Sequence, residues 1–276
     1  MKCLFVTDLH GDKRKFDKLV KIIKKEKPQG VFIGGDVLPN QFKIKKNMDE
    51  FIEKNILDKF TLFNKIKFFI ILGNDDPRIF ETHFIDAEKR KLIYYMSNKT
   101  VKFDNYFVTG YSYIPPSPFQ LKDWEKYDVS RFNDVGAISP EEGYRTVKIP
   151  IDEIRYSTIS EDLEKLEKNS PVDKTIFLFH CPPYKTKLDR AALDGKKVDH
   201  APIDVHVGSI AIKRFIEKKQ PFLTLHGHVH ETVSLTGKWM EKIRNTYCFS
   251  ASHNGDELAV IIFNTENLED AKRILI

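Results

Sequence analysis

The chain has 276 residues, with 45 Lys+Arg against 40 Asp+Glu and a formal net charge of +5. Its 41% hydrophobic and 12% aromatic residues supply enough apolar surface for a folded core and exclude a disordered chain. No apolar run approaches the ~20 residues of a membrane span, and Cys3, Cys181 and Cys248 are too few and too scattered for a disulfide framework or a zinc ribbon. A cytoplasmic protein with no membrane partner is therefore expected. The charge excess is small and mixed in sign, unlike the concentrated basic stripe of a dedicated nucleic-acid binder, so nucleic acid is not the favoured partner.

In chain order, short β-branched or aromatic runs alternate with amphipathic stretches over the first 75 residues, the pattern of βαβ units. Leu4-Phe-Val and Val31-Phe-Ile predict strands, with a helix between them at 13–26 that buries Phe16, Leu19, Val20 and Ile23; its lysines are read as a solvated face. A second helix is predicted within 46–58, and Lys67-Phe-Phe-Ile-Ile-Leu predicts a strand buried on both faces. Residues 92–111 predict two or three strands. Residues 112–156 bring Pro115, Pro116 and Pro118 together with Tyr113, Phe119, Trp124 and Tyr127 without a clear period, and are read as an irregular insertion or lid. Tyr113 and Trp124 there are candidates to stack a flat substrate group, with a loop packed on its own small core as the equal alternative.

The capping box Thr158 to Glu161 opens a helix to about Asn169, followed by the strand Thr175-Ile-Phe-Leu-Phe. A polar connection from Pro182 to Val207 leads to a helix that begins near Ser209 and ends before Pro221. Strands are predicted at Phe222-Leu-Thr-Leu, 231–236, 245–250 and 257–263. No repeat, low-complexity tract or linker divides the chain, so one domain spanning 1–276 is expected.

After each hydrophobic strand comes a short run of metal-competent side chains: Asp8-Leu-His10-Gly11, Gly34-Gly35-Asp36, Gly73-Asn74-Asp75-Asp76, His180, and His226-Gly227-His228-Val229-His230. In α/β sheets the crevice beyond the carboxyl ends of the strands collects side chains from several strands at one point. The i, i+2 spacing of Asp8 with His10, and of His228 with His230, turns both members of a pair to one side of an extended segment, and adjacent glycines permit sharp bends. Carboxylate, amide oxygen and imidazole suit divalent manganese, iron or zinc. Any one of these pieces alone is commoner as a cap or a turn; their order, strand context and joint supply of donors carry the reading.

These blocks, Asp8-x-His10, Gly35-Asp36, Gly73-Asn74, His180 and Gly227-His228-x-His230, resemble the calcineurin-like binuclear metallophosphoesterases, and the stretch from Gly208 to Glu231 is similar to that of the small Icc-like prokaryotic members. The resemblance implies an α/β fold, a four-layer α/β/β/α sandwich of two mixed sheets, with metals at one edge. It implies two divalent ions, manganese first and iron or zinc as alternatives: one held by Asp8, His10, Asp36 and His230, the other by Asp36, Asn74, His180 and His228, with Asp36 as the bridge. It further implies a hydrolase that cleaves a phosphodiester or phosphomonoester by in-line attack of a metal-bridging hydroxide, with a phosphate-ester small molecule or nucleotide as its partner. A catalytically weak binding or scaffold protein and a metal-dependent nuclease are the alternatives, and the oligomeric state stays open.

The sequence departs from the family pattern after Asn74, where a His that stabilises the transition state is replaced by Asp75. An aspartate beside two cations is expected to be ionised and a poor proton donor. Substrates that need little leaving-group protonation, or a donor from elsewhere, would reconcile this; His226 is the first candidate, with His200, His206 and Tyr113 behind it. Asp76 is read as orienting a loop or stabilising a turn, and Cys181 as a packed hydrophobe.

Overall fold

The computed structural model describes residues 1–39 and 47–276. In chain order, β1 (Lys2–Val6) leads through α1 (Lys13–Glu26) to β2 (Gly30–Gly34), and a helical run of α2 (Met48–Ile52), a π-helical turn (Glu53–Leu57) and α3 (Asp58–Phe60) leads to β3 (Lys67–Ile71). Then come α4 (Glu81–Lys89), β4 (Tyr94–Tyr95), β5 (Lys99–Phe103), β6 (Tyr106–Tyr111), α5 (Ile151–Tyr156), α6 (Ile159–Leu166) and β7 (Thr175–Phe179). The chain continues through the small hairpin β8 (Lys197–Val198) and β9 (Ala201–Pro202), α7 (Ile210–Lys219), β10 (Leu223–His226), α8 (Thr232–Thr236), β11 (Met240–Ile243), β12 (Thr246–Ser250), β13 (Ala259–Asn264) and β14 (Asn267–Leu275).

Two six-stranded mixed sheets result, ordered β14-β13-β1-β2-β3-β4 and β11-β12-β10-β7-β6-β5. Strands β1, β2, β3 and β4 run parallel, as do β6, β7, β10 and β12, while antiparallel strands flank both parallel blocks. Parallel strands connected through helices need cover on both faces, and alternation along each strand provides it. In β1, Cys3 and Phe5 join Phe32, Phe69, Phe103, Ile176, Leu225 and Phe249 in the core between the sheets. Leu4 and Val6 face the other way and share a core with Phe16, Leu19 and Ile23 of α1. On the far side, Phe177 and Phe179 pack with Leu163 of α6 and with Ile212, Phe215 and Ile216 of α7. These are the four layers the resemblance implies, and each fully buried large side chain contributes roughly 1.5–3 kcal/mol.

Local signals behave as their chemistry requires. Asp12 caps α1 by accepting from Arg14 N at 2.8 Å, and Lys27 closes it in the left-handed region. Thr158 and Glu161 form a reciprocal capping box on α6, and Ser209 caps α7, which ends at Lys219 before Pro221. The predicted second helix is observed from Met48; its first predicted residue, 46, lies outside the described residues. Residues 92–111 form three strands.

One expectation is corrected, and one open alternative is resolved. The strand predicted at 231–236 is the helix α8: its β-branched residues read as alternating, but Gly237 at φ 68° closes a helical turn by donating to Val233 O. The insertion 112–156 is not a platform of free aromatics. Tyr113 is 5% exposed and Trp124 fully buried, with its indole Nε1 donating to Asp76 O at 2.8 Å. The segment also encloses a polar knot in which Lys122 meets Glu125 at 2.6 Å with both side chains fully buried. Among the described residues, no helix is long and apolar enough to cross a membrane.

Candidate metal centre

Five strand ends converge. Beyond β1 and β2 the backbones stay zipped after the strands stop: Asp8 N donates to Gly35 O (3.1 Å), His10 N to Asp36 O (2.8 Å) and Gly11 N to Val37 O (2.9 Å). In the second sheet Gly227 N donates to His180 O at 2.8 Å. These bonds draw the loops into one rim. They require abrupt turns, and Asp8 (φ 56°), His10 (46°), Asp36 (50°) and His228 (74°) all adopt the left-handed backbone that side-chain-bearing residues seldom occupy. Strain of this kind persists where the surroundings over-determine it, typically at functional sites.

The donor atoms of Asp8, His10, Asp36 and His230 all lie within 4.8 Å of one another. His10 Nε2 and His230 Nε2 stand 3.0 Å apart. A second group forms around Asn74, whose Oδ1 lies 2.9 Å from His180 Nε2 and 2.8 Å from His228 Nδ1. Asp36 Oδ2 sits between the groups, 3.8 Å from His10 Nε2 and 3.4 Å from His180 Nε2. All seven residues singled out as metal donors are thus brought together. Carboxylates, an amide oxygen and imidazoles form a donor set suited to a divalent transition ion. Backbone bareness is part of the fit: a Cβ on Gly73 would fall on Asp36 Oδ1, and one on Gly35 would lie 2.6 Å from His180 Nδ1.

The electrostatics follow from burial and pairing. Burial opposes the charge on Asp36, but the charge and hydrogen bond of His180, helped by His10, outweigh it and hold the carboxyl well below the usual carboxylate range. Burial likewise opposes the His180 cation; Asp36 and Asp8 prevail and raise its pKa to about 9. Burial, followed by repulsion from His180, lowers His228 to about 3, and burial lowers His10. His10 and His228 are therefore held neutral, the form in which imidazole binds metals. Asp8 and Asp36 form a buried floor, and His10 and His230 an accessible rim.

Several supporting groups were not anticipated. Ser252 Oγ donates to Asp8 Oδ2 at 2.7 Å, and His228 N to Asp8 Oδ1 at 3.1 Å, which fixes that carboxylate. His180 Nδ1 lies 2.8 Å from Gly34 O, so a proton on Nδ1 leaves Nε2 turned toward the cluster. Ser252 follows β12, and the rule that polar residues cluster after strand ends could have found it. Asp76 is fully buried and accepts from Val37 N, Leu38 N and Gly73 N, which ties together the two loops that carry Asp36 and Asn74.

The proton-donor candidates fare differently. Asp75 lies at the cluster's edge, its Oδ2 3.7 Å from His10 Nδ1 and its N–H donating to Asp36 Oδ1. Burial and then the Asp36 charge raise its pKa to about 7, opposite in direction to the expectation, which assumed nearby cations. His226 is corrected outright: the ring is fully buried, stacked on Phe179, with Nδ1 2.9 Å from Cys181 O and Nε2 2.8 Å from Thr224 Oγ1. Burial lowers it to about 4, so it is a satisfied core histidine and not a donor. Tyr113 is buried with its hydroxyl against Arg78, His206 is tied to Asp189, and His200 is exposed on the 182–207 connection. Cys181 is buried and its thiol raised by that burial, as expected of a packed residue.

Two mixed sheets packed face to face, with carboxylate, amide and imidazole donors gathered at the carboxyl ends of their strands, define the architecture of metal-dependent phosphoesterases. The family model for calcineurin-like phosphoesterases matches residues 1–232, and the chain belongs to that family. No curated protein matches it. Among solved structures it is similar to TT1561 of Thermus thermophilus, with 14% identity, TM-score 0.60 and coverage of 99% of this chain and 98% of that one. It is also similar to a dimetal phosphatase from Danio rerio, with 10% identity, TM-score 0.58 and coverage of 100% and 95%.

Proposed function

We propose that the protein hydrolyses phosphate esters with two divalent ions, manganese first and iron or zinc as alternatives. Asp8, His10, Asp36 and His230 would hold one ion; Asp36, Asn74, His180 and His228 would hold the other. The observation that carries this reading is the position of Asp36 Oδ2, 3.8 Å from His10 Nε2 and 3.4 Å from His180 Nε2, from which one carboxylate reaches both donor groups. When bound, such ions supply a strong nucleophile from water at neutral pH and neutralise charge on the phosphoryl oxygens. Ser252 keeps Asp8 in place and the Gly34 carbonyl aims His180 Nε2, so the donors are ordered in advance.

Diesters, including cyclic-nucleotide-like ones, are favoured over monoesters. Asp75 stands at the edge of the cluster where the family places a histidine, and its carboxyl ionises beside cations. It then repels the second negative charge of a monoester and leaves the single charge of a diester less penalised. Hydrolysis of bis-p-nitrophenyl phosphate and of p-nitrophenyl phosphate with manganese, by wild type and His228→Ala, tests the reading. The expected result is turnover that favours the diester and falls by about 100-fold or more in the variant, since even an outer partner of a ligand can cost that much. Silence of the wild type with manganese, iron and zinc, or turnover indifferent to His228→Ala, would overturn it and favour a scaffold on the same fold.

A further inference from the structure

The two segments that leave the metal centre, the loop after His180 and the helix after His230, wall a second pocket of about 500 Å³ that presents Lys185, Lys187, Arg190 and His206 beside Thr236 and Glu241. Its walls are tied to the centre through the backbone. Thr232 Oγ1 accepts from Arg190 N at 3.1 Å and donates to Lys187 O at 3.0 Å; Thr236 Oγ1 donates to the same carbonyl at 2.9 Å. Glu231 Oε1 accepts from Ala192 N at 2.9 Å. Thr232 is two residues from His230, and two residues span at most about 7 Å; because Thr232 bonds the backbone of both Lys187 and Arg190, the pocket wall adjoins the segment that carries a candidate metal ligand.

Its charges are unequally engaged. Asp189, buried beneath the loop, takes the N–H groups of Lys185, Thr186 and Gly208 and faces His206 Nδ1. Glu241 spends its Oε2 on Lys187 N at 2.7 Å, and Arg190 is paired with Asp194. Lys185 and Lys187 are exposed; the Lys185 charge acts on the Asp204 carboxylate, and its ammonium rests over the Tyr184 ring at 5.2 Å. Three cationic side chains, Lys185, Lys187 and Arg190, line a polar pocket whose lining, among the described residues, holds a single carboxylate, Glu241, so the walls favour an anion.

We infer that this pocket is an anion subsite that receives a second phosphate or carboxylate of a phosphoester whose ester phosphorus sits at the metal centre. The inference rests on the hydrolase reading above and sharpens it: the substrate is a phosphoester with a further anionic group. No bond is made or broken in the pocket. It contributes binding and orientation, so Lys185 and Lys187 are positioning residues.

Two esters that share a leaving group test it: the p-nitrophenyl ester of thymidine 5′-phosphate, and the same compound bearing a 3′-phosphate. Wild type should prefer the 3′-phosphorylated ester by about tenfold in kcat/KM, mostly through KM, as two partly exposed charge contacts allow. The double variant Lys185→Ala/Lys187→Ala should abolish the preference and leave the unphosphorylated ester unchanged, and Lys→Arg at both positions should restore it. In parallel, titration of metal-free protein with thymidine 3′,5′-bisphosphate should show binding that the double alanine variant weakens by about tenfold and added salt suppresses. Equal kcat/KM for the two esters in wild type, or a preference that survives the double variant, overturns the subsite. Lysine-dependent bisphosphate binding without hydrolysis of either ester would uphold the anion pocket and overturn the hydrolase reading instead.

Discussion

Asp36 is the residue that links the two donor groups, because its Oδ2 lies 3.8 Å from His10 Nε2 and 3.4 Å from His180 Nε2. Asp36→Asn keeps the shape but removes the charge, and is expected to lower occupancy of both metal positions and turnover by at least about 100-fold; metal analysis beside bis-p-nitrophenyl phosphate kinetics checks this, and full occupancy with full activity would refute the bridging assignment. Asp75 makes a separable prediction. Restoring histidine there, Asp75→His, should raise turnover on esters with poor leaving groups more than on nitrophenyl esters, because only the former need a proton; equal effects on both would argue against it. His226 predicts acid sensitivity. Its pKa is lowered to about 4 in the fold and returns to about 6.5 when unfolded. Its contribution is therefore present above pH 6.5 and is lost as pH falls toward 4, at most about 3 kcal/mol. Urea unfolding at several pH values should show that loss in wild type, and His226→Gln should flatten it by up to one proton. The seven candidate donors were legible because each follows a hydrophobic strand and because the order of the blocks matches the family pattern. Ser252 and the Gly34 carbonyl were passed over: the one signal for Ser252 was its place just after β12, and a carbonyl carries none at all.

Among the elements, the insertion 112–156 is where sequence reading stopped short. Its lack of period was visible, but the choice between an open stacking surface and a packed loop turned on one long-range contact, the Trp124 indole on Asp76 O. That contact couples the insertion to the carboxylate that ties Val37, Leu38 and Gly73 together. Trp124→Phe should cost about 1–3 kcal/mol in urea denaturation, because it leaves a buried carbonyl unpaired, and should also weaken metal binding. A stability loss with unaltered metal affinity would confine the insertion to a structural role. The helices were read well where caps and apolar periods agreed, as in α1, α6 and α7. α8 was misread because five residues with β-branched alternation cannot announce their period, and β11 and β14 were missed because edge strands carry mixed, half-exposed faces that resemble loops.

At the scale of the whole molecule, the donors are divided between the sheets: Asp8, His10, Asp36 and Asn74 follow strands of one, and His180, His228 and His230 follow strands of the other. An ion bound here would join the sheets, so thermal unfolding should shift upward with manganese concentration as mass action requires, and the shift should shrink in His228→Ala, which removes a donor from one of the two positions. The βαβ pattern was legible in the alternation of buried strands and amphipathic helices, and the four layers came with the family resemblance, whereas the pairing of β1 with β13 was not legible, because nothing local in either strand names so distant a partner. That pairing has a consequence for synthesis. The sheet that bears Asp8, Asp36 and Asn74 is completed by residues 259–275, and Asp8 receives its hydroxyl partner from residue 252. As the chain leaves the ribosome from its amino end, the loops that carry Asp8, Asp36 and Asn74 are made before the strands that complete their sheet. The candidate centre is therefore framed only once residues 252–275 have emerged, about 180 residues after the last of those loops.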